Sequence, residues 1–173
     1  MIHDIDLVLS MVRSEVVSVD AVGVNVLGTT EDMANARVRF ANGAVADLMA
    51  SRASLKVERR IRVFADNAYA GVDFNAKQGV VIRPGRRMAE LLESSLRKGA
   101  FDASRIGQTE FQDLLETERI EIDEHDALGR QLDSFILAVR GQGPVVVSGD
   151  DGRRAVDLAT RIADAVRARP ARR

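Results

Sequence analysis

The sequence contains no cysteine. That excludes a disulfide framework, a thiol nucleophile and a Cys-ligated zinc centre, and it fits a reducing compartment such as the cytoplasm. There is no tryptophan, one tyrosine (Tyr69) and an aromatic content of 4%, so a core has to be built from Val, Leu, Ile, Ala and a few Phe. A basic excess is missing too. The 25 Lys+Arg stand against 26 Asp+Glu, a net charge of −1, which argues against a general nucleic-acid binder. The one basic cluster, "RARPARR" from Arg167 to Arg173, reads as a solvated tail. No apolar run approaches the roughly 20 residues that cross a bilayer, and the acidic start "MIHDID" does not resemble a signal peptide. With His3 and His125 the only histidines, no second ligand pair has metal spacing, and no metal is expected.

What is present is ample apolar material, 46% of 173 residues, enough for one domain of ordinary size. The pattern predicts an α+β fold: an open, mainly antiparallel sheet of six or more strands with helices packed on one face. Residues 4–12 read as a short helix with Ile5, Leu9 and Val12 on one side. The Val-rich stretch 15–27 reads as a long strand. In "EDMANARVRF", Ala34, Ala36, Val38 and Phe40 alternate with Asn35, Arg37 and Arg39, the mark of a half-buried strand. Asn42-Gly43 then signals a hairpin between strands at 32–41 and 44–55. Further strands are expected at 57–65, 68–74, 79–84 and 118–123. Arg60 and Arg62 face out in the first of these, and Ile61 and Val63 face in. "RMAELLESSLRKG" predicts a helix stopping at Gly99, whereas "FDASRIGQTEFQDLL" is ambiguous. Two helices close the chain. One carries Leu128, Leu132, Phe135, Ile136 and Val139 on one stripe and stops at Gly141. The other spans about 149–168, with Ala155, Leu158, Ala159, Ile162, Ala163 and Val166 at helical spacing and a Ser148/Asp151 capping box at its start.

Several stretches have the residue types of a site. "GQGPVVVSGDDG" holds a Gly-x-Gly before a helix, but its spacing fails the dinucleotide fingerprint, and a helix–turn–helix connection is the better reading. On a helix, His3 and Asp6 share a face at i, i+3. A histidine held by a carboxylate is an acid–base unit, and the plain alternative is a solvated helix start with carboxylates favouring the dipole. Arg52 falls on the parity of Leu48 and Ala50, the apolar side of its strand, where a cation needs a carboxylate or a ligand.

These residues, in this order, resemble a known family. "HDIDLVLSMVRSEVVSVDAVGV", the "ANARVRFANGAVA" hairpin and "PVVVSGDDGRRAVDLA" look like the C-terminal domain of the glucose–fructose oxidoreductase/inositol dehydrogenase (Gfo/Idh/MocA-type) family. The resemblance runs over nearly the whole chain, residues 1–173, read as a single domain. It implies an open-sheet α/β domain that shapes a sugar-type substrate site and forms a subunit interface, joined in the family to an N-terminal Rossmann domain that binds NAD or NADP. The family's motif Asp-x-Gly-x-His-x-x-Asp places its histidine at His3 and its last aspartate at Asp6. Met1 stands where the glycine would be. The Rossmann half, its glycine fingerprint and the Glu-Lys-Pro lysine have no counterpart in this sequence.

The resemblance therefore implies a cytoplasmic substrate-binding and oligomerisation domain of a sugar or nucleotide-sugar oxidoreductase, inactive alone, with no cofactor of its own. Its catalytic residues would be His3 and Asp6, in an incomplete site, and Arg52 would touch substrate. Neither nucleic acid nor membrane is expected as a partner. A homodimer is expected through the sheet face that bears Arg37, Arg39, Arg60 and Arg62, with Asp47 and Asp73 as complements. Two alternatives stay open: a stand-alone binding or scaffold module, and an enzyme half completed by a separate Rossmann chain.

Overall fold

A computed structural model describes residues 1–98, 113–122 and 126–168. Residues 101–112 of the ambiguous stretch, the expected stop at Gly99, His125 and the tail beyond Ala168 lie outside them. The chain divides into two compact units, Met1–Leu55 with the chain from Ala127 onward, and Lys56–Asp126. The class is α+β as expected. Among the described residues, seven antiparallel strands fall into two hydrogen-bonded sheets, one of three and one of four.

The first unit holds α1 (Ile2–Val12), β1 (Val16–Val24), β2 (Met33–Phe40) and β3 (Val45–Ser51). Alternation makes β2 the sheet's centre. Ala36, Val38 and Phe40 are buried, while Asn35, Arg37 and Arg39 are exposed. β1 and β3 flank it, with a bulge at Val17 where the β1–β2 register shifts. The expected strand 15–27 stops at Val24. The N–H groups of Val26 and Leu27 leave the ladder and donate instead to the Asp32 carboxylate, at 2.9 and 2.6 Å.

The hairpin at Asn42-Gly43 is present, but only Gly43 takes a positive φ, +88°. Asn42 contributes through its side chain, whose Oδ1 accepts the Ala44 N–H at 3.1 Å. Its backbone N–H donates to Ser14 Oγ at 3.1 Å, so the hairpin tip is tied to the turn after α1.

The inner face of the three-stranded sheet is covered by segments from opposite ends of the chain. α1 contributes Ile5, Val8 and Leu9. The closing helix of the chain, Gly149–Ala168, contributes Ala155, Leu158, Ile162 and Val166. Ile5, Leu158 and Val38 are the largest fully buried side chains. The capping box forms as read. Asp151 N–H donates to Ser148 Oγ at 3.2 Å, and Ser148 N–H donates to Asp151 Oδ2 at 2.9 Å.

Ahead of it, α3 (Ala127–Val139) ends in a left-handed Gly141 (φ +69°), with the Gln142 N–H on the Leu137 carbonyl at 2.9 Å. The closing helix is α4, and "GQGPVVVSGDDG" is the connection between the two. α3 forms over the predicted residues, but its apolar stripe is not buried: Phe135 is 67% and Val139 70% exposed. Periodicity specified the helix, and no described element covers its stripe.

The second unit is a meander of β4 (Arg60–Ala65), β5 (Ala68–Asp73), β6 (Gln78–Pro84) and β7 (Leu115–Glu121), with α2 (Arg86–Lys98) after β6. Met88 and Leu114 are its buried apolar side chains among the described residues.

The closest packing of helix on sheet is at Gly23 of β1, where an added Cβ would lie 2.5 Å from Val166 Cγ1 and 2.8 Å from Glu31 Cγ. Gly23→Ala is expected to lower stability by about 1–3 kcal/mol, the range for overpacking. Urea unfolding checks this. Adding Val166→Ala is expected to cost less in the Gly23→Ala background than in the parent, because the shortened side chain relieves the clash.

Candidate functional site

α1 begins the chain, and its first turn presents His3 and Asp6 away from the buried Ile5–Val8–Leu9 stripe. His3 is exposed and Asp6 half-buried. Neither side chain makes a hydrogen bond or ion pair among the described residues. The two lie one turn apart on the helix, as their spacing requires, without contacting each other. A side-chain pair left unbonded by its own chain is available to a substrate or to another protein segment. Among the described residues no group of three His, Cys, Asp or Glu side chains is placed to hold a metal.

Arg52 lies just past the end of β3, not within it. Its side chain is 69% exposed, and its nearest carboxylate is Asp32, with Nε–Oδ1 at 3.8 Å. The Arg52 N–H also donates to the Asp32 carbonyl at 2.8 Å. Asp32 is the residue that sequence reasoning missed. Its side chain is 5% exposed, the one buried charged group among the described residues. It closes the 25–31 loop by accepting two backbone N–H bonds. The need for a carboxylate partner at Arg52 is thus met inside the chain. An acid at the end of "LGTTED", a run of turn-forming residues, was the available signal.

The four arginines assigned to an interface lie in two different sheets. On the outer face of the first, Arg37 forks onto Asp47 across the β2–β3 register, Nε–Oδ1 and Nη2–Oδ2 both 2.7 Å. Asp20 stands on its other side in β1. The Arg37 guanidinium holds the Asp47 carboxyl below its ordinary range, with Arg39 adding a weaker pull. Arg39 has no hydrogen-bonded partner among the described residues. In the second sheet, Arg60 Nε donates to Asp73 Oδ2 at 2.6 Å, and Arg62 has no partner among the described residues. Asp73 is held low first by the Ala76 N–H and then by Arg60. The complements Asp47 and Asp73 are therefore engaged within the same chain.

A nicotinamide dinucleotide is normally cradled between a parallel βαβ unit and a glycine-rich turn. Every strand pair among the described residues is antiparallel. The described residues do not fit that cofactor, and none of them is assigned to it.

Residues 1–70 match the GFO/IDH/MocA C-terminal domain. Over those residues the chain is similar to that domain. It is 33% identical over 171 residues to the UDP-N-acetylglucosamine 3-dehydrogenase of Acidithiobacillus ferrooxidans, covering 97% of this chain and 47% of that protein. A solved structure of that enzyme superposes with a TM-score of 0.78, at 32% identity and the same coverage. The chain thus spans about half the length of the curated relative it matches. A structure of the WlbA dehydrogenase from Bordetella pertussis, in complex with NADH and UDP-GlcNAcA, superposes at TM-score 0.61 with 17% identity, covering 96% of this chain and 41% of that one. An aldose-aldose oxidoreductase from Caulobacter crescentus does so at 0.63 with 18% identity, covering 96% and 44%. These last two show the fold alone. No helix among the described residues is long and apolar enough to cross a membrane.

The Asp32 clamp predicts a pH response. The Leu27 and Val26 N–H groups hold its carboxyl below the ordinary carboxylate range. Its stabilisation is therefore complete at neutral pH and is lost as pH falls below about 4 through the depressed folded-state value. Asp32→Asn is expected to be less stable than the parent at neutral pH, with the gap narrowing below about pH 4. Unfolding midpoints measured from pH 7 to pH 3 check this.

Proposed function

We propose that this chain is the sugar-side domain of an NAD(P)-dependent sugar or nucleotide-sugar oxidoreductase of the cytoplasm, with residues 1–173 acting as one domain. The observation that carries the reading is the unengaged His3–Asp6 pair on α1, the position of the family motif's histidine and aspartate, within the matched residues 1–70. In this role His3 exchanges a proton with a substrate hydroxyl and Asp6 orients it. The nucleotide-sugar option is supported by the 33% identical relative, a UDP-N-acetylglucosamine 3-dehydrogenase. The Bordetella neighbour is seen in complex with NADH. Since the described residues offer no dinucleotide cradle, the 173-residue chain by itself is expected to show no saturable NADH binding in the low-micromolar range by fluorescence titration.

The reading is tested by a chimera in which this chain replaces the C-terminal half of the Acidithiobacillus relative. Turnover of a sugar or nucleotide sugar is expected, with His3→Ala lowering it by about 10²-fold or more, the scale of general acid–base catalysis. A chimera that folds, binds NADH and is unaffected by His3→Ala refutes the assignment. His3→Ala in the isolated chain is expected to change unfolding free energy by less than about 0.5 kcal/mol, as for an exposed side chain.

The outer face of the β1–β3 sheet supports self-association. It sets exposed Val22, Val24, Met33 and Met49 around the Arg37–Asp47 pair. A twofold mate would place apolar side chains on apolar ones and Arg39 near the mate's carboxylates. A homodimer of twice 18.9 kDa is expected in sedimentation equilibrium, and Arg39→Glu with Met49→Asp is expected to return it to monomer.

A further inference from the structure

The hairpin between β2 and β3 holds a reactive pair that the dehydrogenase reading does not use. The sequence has five asparagines, and only Asn42 is followed by glycine; Asn25 precedes Val, and Asn35, Asn67 and Asn75 precede Ala. A backbone nitrogen can attack the side-chain amide carbon of the asparagine before it, and glycine, with no Cβ, hinders that attack least. Asn42 and Gly43 are both exposed, and a Cβ added at Gly43 would meet no heavy atom within 4 Å. Nothing bulky guards the pair.

Hydrogen bonds guard it instead. The Gly43 N–H donates to the Phe40 carbonyl at 3.0 Å, which commits the attacking nitrogen to the turn. Asn42 Oδ1 accepts the Ala44 N–H at 3.1 Å, which fixes the side-chain amide. The hairpin tip is also tied to the chain after α1. The Asn42 N–H donates to Ser14 Oγ at 3.1 Å, and the Ala41 N–H to the Glu15 carbonyl at 2.9 Å. Asn42 Nδ2 faces the Val12 carbonyl at 3.5 Å. Val12 is the last residue of α1, so the amide stands where the helix ends in unpaired carbonyls.

We propose that Asn42 is a self-modification site gated by the hairpin tip, and that its conversion loosens the end of α1. When the tip lifts, Gly43 N bonds to Asn42 Cγ, the Cγ–Nδ2 bond breaks, and ammonia leaves with the glycine proton. Water then opens the cyclic imide at either carbonyl and gives aspartate or isoaspartate; nothing is oxidised or reduced. Both products put a carboxylate where an amide donor faced the Val12 carbonyl, and negative charge at a helix C-terminus is unfavourable. Isoaspartate also lengthens the main chain inside the turn, which disturbs the β2–β3 register. Lifting the tip breaks exposed hydrogen bonds only, so it is a local opening and not global unfolding. α1 is the helix of His3 and Asp6, but the proposal does not rest on their role, and its failure leaves the dehydrogenase reading untouched.

The test incubates the 173-residue chain at mildly alkaline pH, with and without urea. Peptide masses follow the loss of the amide, and enzymatic methylation detects isoaspartate. Conversion is expected at Asn42 and at none of the other asparagines. In buffer it is expected to run at least about 10-fold slower than in urea, because the site is reached through a local opening. Ser14→Ala is expected to raise the rate in buffer about 5-fold, the factor carried by one hydrogen bond of ordinary net strength, and to leave the rate in urea unchanged. Asn42→Asp, which carries the product's charge from the start, is expected to speed hydrogen exchange of the amides that close α1, among them the Arg13 N–H on the Leu9 carbonyl. Circular dichroism of each variant shows whether the fold is retained. No conversion at Asn42 under either condition overturns the site. Equal rates in buffer and in urea overturn the gate, as does a folded Ser14→Ala variant that converts no faster than the parent. Exchange in α1 that is the same in the parent, in Asn42→Asp and in the converted chain overturns the coupling to the helix.

Discussion

The first unit depends on one long-range closure. α1 at one end of the chain and α4 at the other lie together on the inner face of a three-stranded sheet, and Ile5, Leu158 and Val38 meet in its interior. None of these elements is stable alone. An 11-residue helix is below the length at which isolated helices persist in water, and a three-stranded sheet needs its apolar face covered. The close approach at Gly23 belongs to the same closure: Val166 of α4 lies where a β1 side chain would otherwise stand. The presentation of His3 and Asp6 follows as well. Burial of Ile5, Val8 and Leu9 fixes the rotation of α1 and turns the His3–Asp6 side away from the core.

Asp32 solves a local problem that the closure creates. β1 must end in time for the chain to turn into β2, yet its sequence continues as "NVL", which suits a strand. A carboxylate that accepts the Val26 and Leu27 N–H groups offers those donors a better partner than water and takes them out of the ladder. Its burial is tolerated because the bonds compensate its charge. Arg52, at 3.8 Å and largely exposed, adds little to that compensation.

What was legible in the sequence was periodicity and local turn chemistry. The alternation of β2, the stripe of α4, the Ser148–Asp151 box and the Gly43 turn were all read from neighbours within a few residues, and each is present. Partnership between distant residues was not legible. Parity showed that Arg37 and Arg60 face outward, but only strand register shows Asp47 and Asp73 opposite them. The division of seven strands into two hydrogen-bonded sheets depends on pairing, which strand propensity does not specify. The stripe of α3 exposed the same limit from the other side, since a period of 3.6 declares an apolar face without naming what covers it. For the site, the spacing of His3 and Asp6 was readable, and their lack of mutual contact was not.

The outward arginines show why charge counting alone is a poor guide to function in this chain. The net charge is −1, and three of the six strand arginines are neutralised by a carboxylate on a neighbouring strand. Arg37, Arg60 and Arg83 each meet a carboxylate on the neighbouring strand. Exposed pairs of this kind contribute little stability, but they fix which cations remain free. Arg39, Arg62 and Arg119 are left without a hydrogen-bonded partner among the described residues, and the last two share a face with Gly71 and the exposed Phe64. A free cation on a flat, solvated strand is ordinary. Arg62 and Arg119 line one depression together with Asp73 and Glu121, a grouping set by strand register that composition does not show.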